Sequence, residues 1–126
     1  VPSLLSAPYL GFCGKNDPVY EATRAFVLSK DNPFYFEGKC AKGVGSPHTP
    51  KGYVWHIALS MQGLTAKDKE EKLSLLKMLV STTDGTNLMH EGFDVDDPSK
   101  YTRPWFAWSC SLFCEFVMHC LDEGII

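Results

Sequence analysis

Two stretches of this sequence are too apolar to lie exposed on a protein surface. Residues Tyr53–Met61 are interrupted only by His56 and Ser60, and residues Trp105–Leu121 carry Glu115 near their middle. A helix that is apolar on nearly all sides must be buried, either in a protein core or in a bilayer. The second stretch is shorter than the roughly 20 apolar residues that a membrane span needs, and a central glutamate is costly in lipid. We therefore predict two enclosed helices of a globular protein and no membrane contact.

Two further helices are predicted to be amphipathic. Asp17 followed by Pro18 is a typical helix start, because aspartate caps free N–H groups and proline fits the first helical position, and this helix is expected over residues 18–29. Thr65 with Asp68 resembles the capping box of a helix that continues to Val80. The apolar faces of the two helices are expected to comprise Val19, Ala22 and Phe26 in the first and Leu73, Leu76 and Val80 in the second.

The order of these four helices predicts the fold class. Amphipathic and enclosed helices alternate along the chain, whereas every helix of a four-helix bundle would be amphipathic. Such alternation arises when an outer ring of half-exposed helices surrounds an inner ring of enclosed ones. The sequence therefore predicts an all-α fold that forms part of an α/α barrel.

Composition and charge restrict the class of ligand. The 126 residues are 44% hydrophobic and carry a formal net charge of -3, which is the composition of a chain that folds around a core. A weakly acidic chain has no general field that attracts phosphate backbones or anionic lipid, so we expect no nucleic-acid partner. Aromatic residues make up 13% and include Trp55, Trp105 and Trp108. Because aromatic rings also line sugar and nucleoside sites, we expect a neutral polar ligand.

The five cysteines favour free thiols over a disulfide framework, because their number is odd and three of them share one predicted helix. Small buried thiols are typical of a reducing compartment, which favours the cytoplasm. Together with His119, the helical cysteines Cys110, Cys114 and Cys120 match no spacing of zinc ligands. We therefore predict no metal site in this helix.

Two long connections, residues 30–48 and 82–103, are predicted to lie at the same end of the helices. Up-and-down packing brings them together, and connections of this length in a compact domain are usually functional. A rim that holds carboxylates, imidazoles, an arginine and indoles has the side chains that a site for a polar ligand requires. The candidate residues on this rim are His48, Trp55, His90, Glu91, Asp94, Asp96, Asp97, Arg103 and Trp105.

The residues alone leave two interpretations for most of these side chains. Glu91 has apolar neighbours in its loop and is either a partly desolvated acid or base, or a solvated loop carboxylate. Arg103 either clamps a ligand or forms a surface salt bridge, and His48 either donates to a substrate hydroxyl or only precedes a helix. Residues 94–97 lack the ligand spacing of a calcium loop, which favours a capping and turn role before Pro98.

Two longer segments resemble one known family. Residues 38–58 resemble the motif GKxAKGxGSPHTPxGYxWHIA, and residues 89–108 resemble the motif MHESFxxDDPxxFTRPWFAWA, both of glycoside hydrolase family 125. The motifs occur in the family's order, and the resemblance covers essentially the whole chain. The chain departs from the family at Gly92, where serine is usual, and at Ser109 and Cys110, where alanine and asparagine are common.

This resemblance implies an activity, because members of the family are exo-acting α-mannosidases that release terminal α-1,6-linked mannose with inversion. They do so on an (α/α)6 barrel, without a required metal, so no cofactor is expected. By resemblance Glu91 is the general base that activates water, and the partner is a mannose-containing oligosaccharide or glycan. The substrate-binding residues expected from the matched motifs are His48, Trp55, His90, Arg103 and Trp105.

The resemblance also implies that residues 1–126 are the C-terminal part of a single glycosidase catalytic domain. The general acid of the family is an aspartate in the earlier part of its chains and has no counterpart in this sequence. We therefore expect the remainder of the same domain to be a partner and this fragment alone to be inactive. Two other functions stay open: a non-catalytic carbohydrate-binding remnant of the same fold, and a helical interaction protein without a ligand.

Overall fold

A computed structural model of the chain describes residues 3–126. Within this range short strands alternate with helices, and the helices carry most of the core. The elements are a 3-10 helix at Leu4–Ser6, α1 at Pro18–Val27, β1 at Tyr35–Glu37, β2 at Lys42–Val44, β3 at Tyr53–Val54, α2 at His56–Thr65, α3 at Lys69–Ser81, β4 at Gly92–Asp94, β5 at Tyr101–Thr102 and α4 at Ala107–Asp122.

The strands form two small antiparallel sheets. One sheet pairs β1 with β2, and the other has the order β3-β4-β5 with β4 in the centre. The prediction of an all-α fold that is part of an α/α barrel is therefore wrong, and the chain is mixed α and β. Strands of two or three residues are too short to show the alternation of apolar and polar side chains that identifies a strand in a sequence. Both long connections contain such strands.

The helix expected at Tyr53–Met61 begins three residues later than predicted. Tyr53 and Val54 lie in β3, where they pair with Asp94 and Phe93 of β4. The α-helix then runs from His56, and every residue of α2 except Gln62 is buried. The prediction that this helix is enclosed is confirmed.

α2 is the centre of the helical layer and packs against both α3 and α4. Its contact with α4 depends on Gly63, because a β-carbon there would fall inside the van der Waals surface of the fully buried Phe116 ring. Leu59 and Leu79 are also fully buried in this core. A residue without a side chain therefore sets how closely the two helices approach.

The prediction that the fourth helix is buried on most sides is wrong. Ser109, Phe116 and Cys120 are the buried residues of α4, whereas Trp108 is 72% exposed. The helix is apolar around most of its circumference, but residues 3–126 cover one side of it. Within that range, none of the helices has the length and apolar content that a bilayer crossing needs.

The first amphipathic helix turns a different face to the core than expected. α1 has the predicted start, because the Asp17 side chain accepts hydrogen bonds from the backbone N–H groups of the first turn. However, Tyr20 and Val27 are its buried residues, while Val19 and Phe26 are exposed. Tyr20 also donates from its hydroxyl to the carbonyl oxygen of Leu5 at 3.0 Å. Apolar residues occur on both faces of α1, so helical periodicity alone could not select the buried one.

The third helix differs from its prediction in its cap and in its face. Asp68 is the N-cap of α3 and accepts from the N–H of Glu71 at 3.0 Å, whereas Thr65 still belongs to α2. Val80, expected in the core, is exposed. The four leucines of α3 lie on two overlapping stripes of the helix surface, so the sequence alone does not show which stripe faces the core. The buried residues of α3 are Lys72, Leu75, Leu76 and Leu79.

Lys72 is a buried charge that joins α3 to the end of α4. Its side chain is 3% exposed, and its ammonium group donates to the carboxylate of Glu123. The same nitrogen lies 3.2 Å from Nε2 of His119. This ion pair lowers the pKa of the Glu123 carboxyl below its ordinary value. A lysine side chain is seldom buried without such a partner.

Candidate active site

Three of the predicted site residues meet at one end of the sheet β3-β4-β5. Trp55 follows β3, Glu91 precedes β4 and Arg103 follows β5. The strands are antiparallel, so the end of β3, the start of β4 and the end of β5 lie at the same edge. The register places Val54 opposite Phe93 and Gly92 opposite Thr102, which brings the three predicted site residues into adjacent positions.

Glu91 and Arg103 form an ion pair at this edge. Oε1 of Glu91 lies 3.2 Å from Nε of Arg103, and the backbone N–H of Glu91 donates to the carbonyl of Thr102 at 3.2 Å. The Glu91 side chain is 17% exposed, whereas that of Arg103 is 66% exposed. The carboxylate is thus largely enclosed by protein, while the guanidinium stands at the surface where a ligand can reach it.

Arg103 has a strained backbone. Its φ of 49° lies in the left-handed region, which residues other than glycine seldom adopt. The guanidinium carbon lies 5.9 Å from the centre of the Phe106 ring, within range of a cation–π contact. Strained residues of this kind are concentrated at functional sites, where the surrounding structure holds them in place.

Trp55 lines the buried side of the site. Its side chain is mostly enclosed, its indole N–H donates to Oγ1 of Thr49 at 2.9 Å, and its ring meets the Phe106 ring edge to face. Gly92 lies against it, because a β-carbon at this position would be 3.1 Å from Cδ1 of Trp55. The glycine that departs from the family motif therefore permits a close contact between β4 and the indole.

The other predicted substrate-binding residues lie around this pair at different depths. His48 is exposed beside Thr49, and Trp105 is 65% exposed between Pro104 and Phe106. His90 is fully buried, with Nδ1 2.7 Å from the carbonyl oxygen of Pro104 and its ring stacked on Tyr101. In this arrangement the His90 ring contacts other residues of the protein and is not exposed to solvent. Sugar binding by each of these side chains stays a prediction.

Comparison with known proteins identifies the family. The family model for metal-independent α-mannosidases, glycoside hydrolase family 125, matches residues 1–118. The chain belongs to this family. The family predicted from the two sequence motifs is therefore confirmed.

Two relatives are similar along nearly the whole chain. The meiotically up-regulated gene 157 protein of Schizosaccharomyces pombe is 48% identical over 124 residues, which are 98% of this chain and 24% of that protein. A structure from the metal-independent α-mannosidase family, of Streptococcus pneumoniae in a non-productive complex with α-1,6-mannobiose, is 55% identical with a TM-score of 0.94. That match covers 97% of this chain and 29% of the Streptococcus pneumoniae chain. The chain thus spans about a quarter of the length of these relatives.

Several residues of this family-125 site were not predicted from the sequence. Thr49 accepts a hydrogen bond from the indole N–H of Trp55, and the Phe106 ring packs against Trp55 and lies within cation–π range of Arg103. A buried histidine, His56, accepts a hydrogen bond from the backbone of the Glu91 loop. Thr49, His56 and Phe106 all lie inside the two segments that match the family motifs, and that position is the signal that could have identified them.

The acidic residues at the end of β4 form a turn. Oδ1 of Asp94 accepts from the N–H groups of Asp96 and Asp97 at 2.8 and 3.1 Å, which confirms the predicted turn role. A hydrogen bond from Ser99 lowers the pKa of the Asp97 carboxyl. Across residues 3–126 no group of three or more histidine, cysteine or acidic side chains is arranged to hold a metal ion.

Proposed function

We propose that this chain supplies the general base and part of the sugar-binding surface of an α-mannosidase. In this proposal Glu91 removes a proton from the attacking water, and Arg103 holds hydroxyl groups of the terminal mannose. The observation that carries the proposal is the ion pair between the largely enclosed Glu91 and the exposed Arg103, at the sheet edge of a chain that belongs to the metal-independent α-mannosidase family.

The geometry at Glu91 is suitable for a general base. One carboxylate oxygen, Oε1, is held by Arg103, while Oε2 accepts no hydrogen bond from the part of the chain that the structure describes. A carboxylate fixed through one oxygen can orient a water molecule with the other. Partial enclosure limits competition from bulk solvent, which favours proton transfer to a positioned acceptor.

The surface around Arg103 supports recognition of a sugar. Arginine offers several N–H donors in a planar array, and the indole of Trp105, two residues further along the chain, is exposed. Sites for small polar ligands commonly combine aromatic walls with a few fixed polar groups. Because the Streptococcus pneumoniae relative was solved with α-1,6-mannobiose, we propose terminal α-1,6-linked mannose as the substrate class.

The proposed reaction is hydrolysis with inversion at the anomeric carbon. An inverting glycosidase keeps its two carboxyl groups roughly 6.5–9.5 Å apart, so that water fits between the base and the sugar. The acid must protonate the leaving oxygen from the other side of the bond. We propose that this acid is an aspartate in the remainder of the catalytic domain, since the chain spans 24% and 29% of the relatives that it matches.

The decisive experiment is an assay of the protein in which the remainder of the domain accompanies this chain. The substrate is α-1,6-mannobiose, and NMR follows the anomer of mannose that is released first. We expect β-mannose first, at a rate that a chelator leaves unchanged. Release of α-mannose first would contradict inversion. Calorimetric binding of mannobiose without any hydrolysis would instead favour the second candidate, a carbohydrate-binding remnant.

A further inference from the structure

A buried hydrogen-bond chain connects α3, α2 and the Glu91 loop. Nδ1 of the fully buried His56 accepts from the backbone N–H of His90 at 2.8 Å, and Nε2 of His56 lies 3.0 Å from Oγ1 of Thr82. The Thr82 hydroxyl in turn donates to the carbonyl oxygen of Met78 at 2.8 Å. Because an N–H donates into Nδ1, the ring proton of His56 must be on Nε2, where it donates to Thr82.

Burial keeps the His56 ring uncharged near neutral pH, so the tautomer with its proton on Nε2 is the only form present. Desolvation, together with the neighbouring His90, lowers the pKa of His56 to about 3. A second proton on the ring would also point from Nδ1 at the N–H of His90, where two donors would face each other. His56 therefore acts as a fixed acceptor toward the residue that precedes Glu91.

His90 extends the chain to the residue that follows Arg103. Its Nδ1 lies 2.7 Å from the carbonyl oxygen of Pro104 and donates to it, while its Nε2 lies 3.3 Å from the carbonyl oxygen of Thr83. Its ring stacks on Tyr101 of β5 with a centroid distance of 3.8 Å and an interplanar angle of 6°. His90 thus contacts the backbone on the far side of Arg103 while its own backbone continues into Glu91.

We propose that His56 is a positioning residue for the Glu91–Arg103 pair, acting through the main chain and the ring of His90. This inference rests on the proposed α-mannosidase function for its effect on catalysis. His56 touches neither member of the pair, and its nitrogens set where the loop that carries Glu91 lies against β5. A displaced base loses contact with the water that it must deprotonate, and small misplacements of catalytic groups have large effects on rate.

Packing alone requires a ring at this position but not its nitrogens. The His56 ring stacks on Phe93 at 4.5 Å, which a phenylalanine could also do. The proposal therefore assigns the effect to the Nδ1 acceptor. Asparagine places an amide oxygen near the position of Nδ1, whereas glutamine places its amide near Nε2. This difference gives a matched set of variants, His56→Asn, His56→Gln and His56→Phe.

The test measures kcat and KM on α-1,6-mannobiose for the wild type and these variants, in the protein that contains the remainder of the domain. We expect His56→Asn to retain kcat, and His56→Gln and His56→Phe to lose up to about 100-fold in kcat with little change in KM. A purely structural role would lower the melting temperature of all three variants without this order in kcat. Equal kcat values per folded molecule would overturn the proposal.

Two further measurements keep the test decisive if a His56 variant does not fold or if the wild-type protein is inactive. Thr82→Val removes the acceptor of the Nε2 proton but leaves the Nδ1 acceptor of His56 in place, so we expect both Thr82→Val and its control Thr82→Ser to keep kcat. The Nε–H resonance of Arg103, followed by ¹H–¹⁵N NMR, reports the pair without catalysis. It should keep its position in His56→Asn and Thr82→Val and move in His56→Gln and His56→Phe. If the wild type hydrolyses no mannoside, the proposed function fails, and this resonance alone decides the positioning role: an unmoved signal in all variants overturns it.

Discussion

Glu91 and Arg103 face each other across the end of the β4-β5 ladder, with Oε1 of the glutamate 3.2 Å from Nε of the arginine. The strands pair Gly92 with Thr102, so the two charged residues occupy the next opposed positions. Their separation is therefore fixed by backbone register, although eleven residues of chain lie between them. A proton-transfer group held in this way needs little reorganisation before reaction.

Glu91→Gln should remove most of the catalytic rate and leave mannoside binding nearly intact. Glutamine keeps the shape of the side chain but cannot accept the proton of water, and general-base catalysis contributes about 10²–10⁴-fold. The measurements are kcat on α-1,6-mannobiose and the dissociation constant by calorimetry. Glu70→Gln, at an exposed position on α3, is the matched control and should behave as wild type. Near-normal turnover of Glu91→Gln would show that another group is the base.

Arg103→Ala should lower kcat/KM while the fold is unchanged. A hydrogen bond between a charged group and a ligand contributes about 1.5–3 kcal/mol, which corresponds to a loss of roughly tenfold or more. Arg103→Lys should recover only part of this loss, because a lysine keeps the charge but not the planar donor array. Circular dichroism checks the fold of both variants. A substrate-bound structure with Arg103 turned toward solvent would contradict this role.

Gly63→Ala should destabilise the protein by about 1–3 kcal/mol, because its methyl group overlaps the buried Phe116 ring and forces α2 and α4 apart. Phe116→Leu alone should also destabilise, since it leaves a cavity. Combined, the two changes should cost less than their sum, because leucine vacates space that the alanine methyl group needs. Urea unfolding of the single and double variants measures this coupling, and strictly additive effects would exclude the predicted contact.

The ion pair between Lys72 and Glu123 should make stability depend on acid pH. The folded pKa of Glu123 lies below its ordinary value of 4.5, because Lys72 donates to the carboxylate. The pair therefore stabilises the protein above that ordinary value, and its contribution is lost as the pH falls through the folded pKa. We expect Glu123→Gln to be less stable than wild type at pH 7 by about 1 kcal/mol or less, because the carboxylate is partly exposed. Urea unfolding as a function of pH should show this difference disappearing in acid, and a difference that persists at low pH would assign it to packing.

The 126-residue chain on its own should hydrolyse no mannoside. Bond cleavage requires an acid that protonates the leaving oxygen, and Glu91 is already assigned to the water. The exposed apolar residues of α4, among them Trp108, also favour self-association of the isolated chain. Activity assays and light scattering of the isolated chain test both expectations. Turnover by a monodisperse monomer would place the acid within these residues.

Some of the fold could be predicted because its signals are local. The enclosed helix α2 was found because its apolar residues are continuous, and the start of α1 because Asp17 and Pro18 are specific for a helix N-terminus. The strands were missed because each has two or three residues, and Tyr53 continues the apolar run of α2. The side of a helix that faces the core depends on its partners, which periodicity does not identify.

The residues of the candidate site were named from the sequence, but their arrangement was not predicted. The family motifs singled out Glu91 and Arg103 as candidates, but their contact depends on the ladder between β4 and β5, which an all-α prediction does not contain. His90 was expected at the ligand surface, and in the structure it is fully buried. No pattern in the sequence distinguishes a histidine that faces a ligand from one that fixes a loop, because both positions follow from long-range packing.

The left-handed backbone at Arg103 opposes the stability of the fold to the role in sugar binding that we propose for this residue. A side chain in this region of φ costs about 1–3 kcal/mol, and glycine adopts it without that cost. Selection for thermal tolerance alone would therefore tend to replace the arginine with glycine and would remove the cation that faces Glu91. Laboratory evolution of this chain for heat resistance, without a screen for sugar turnover, should lose this residue early.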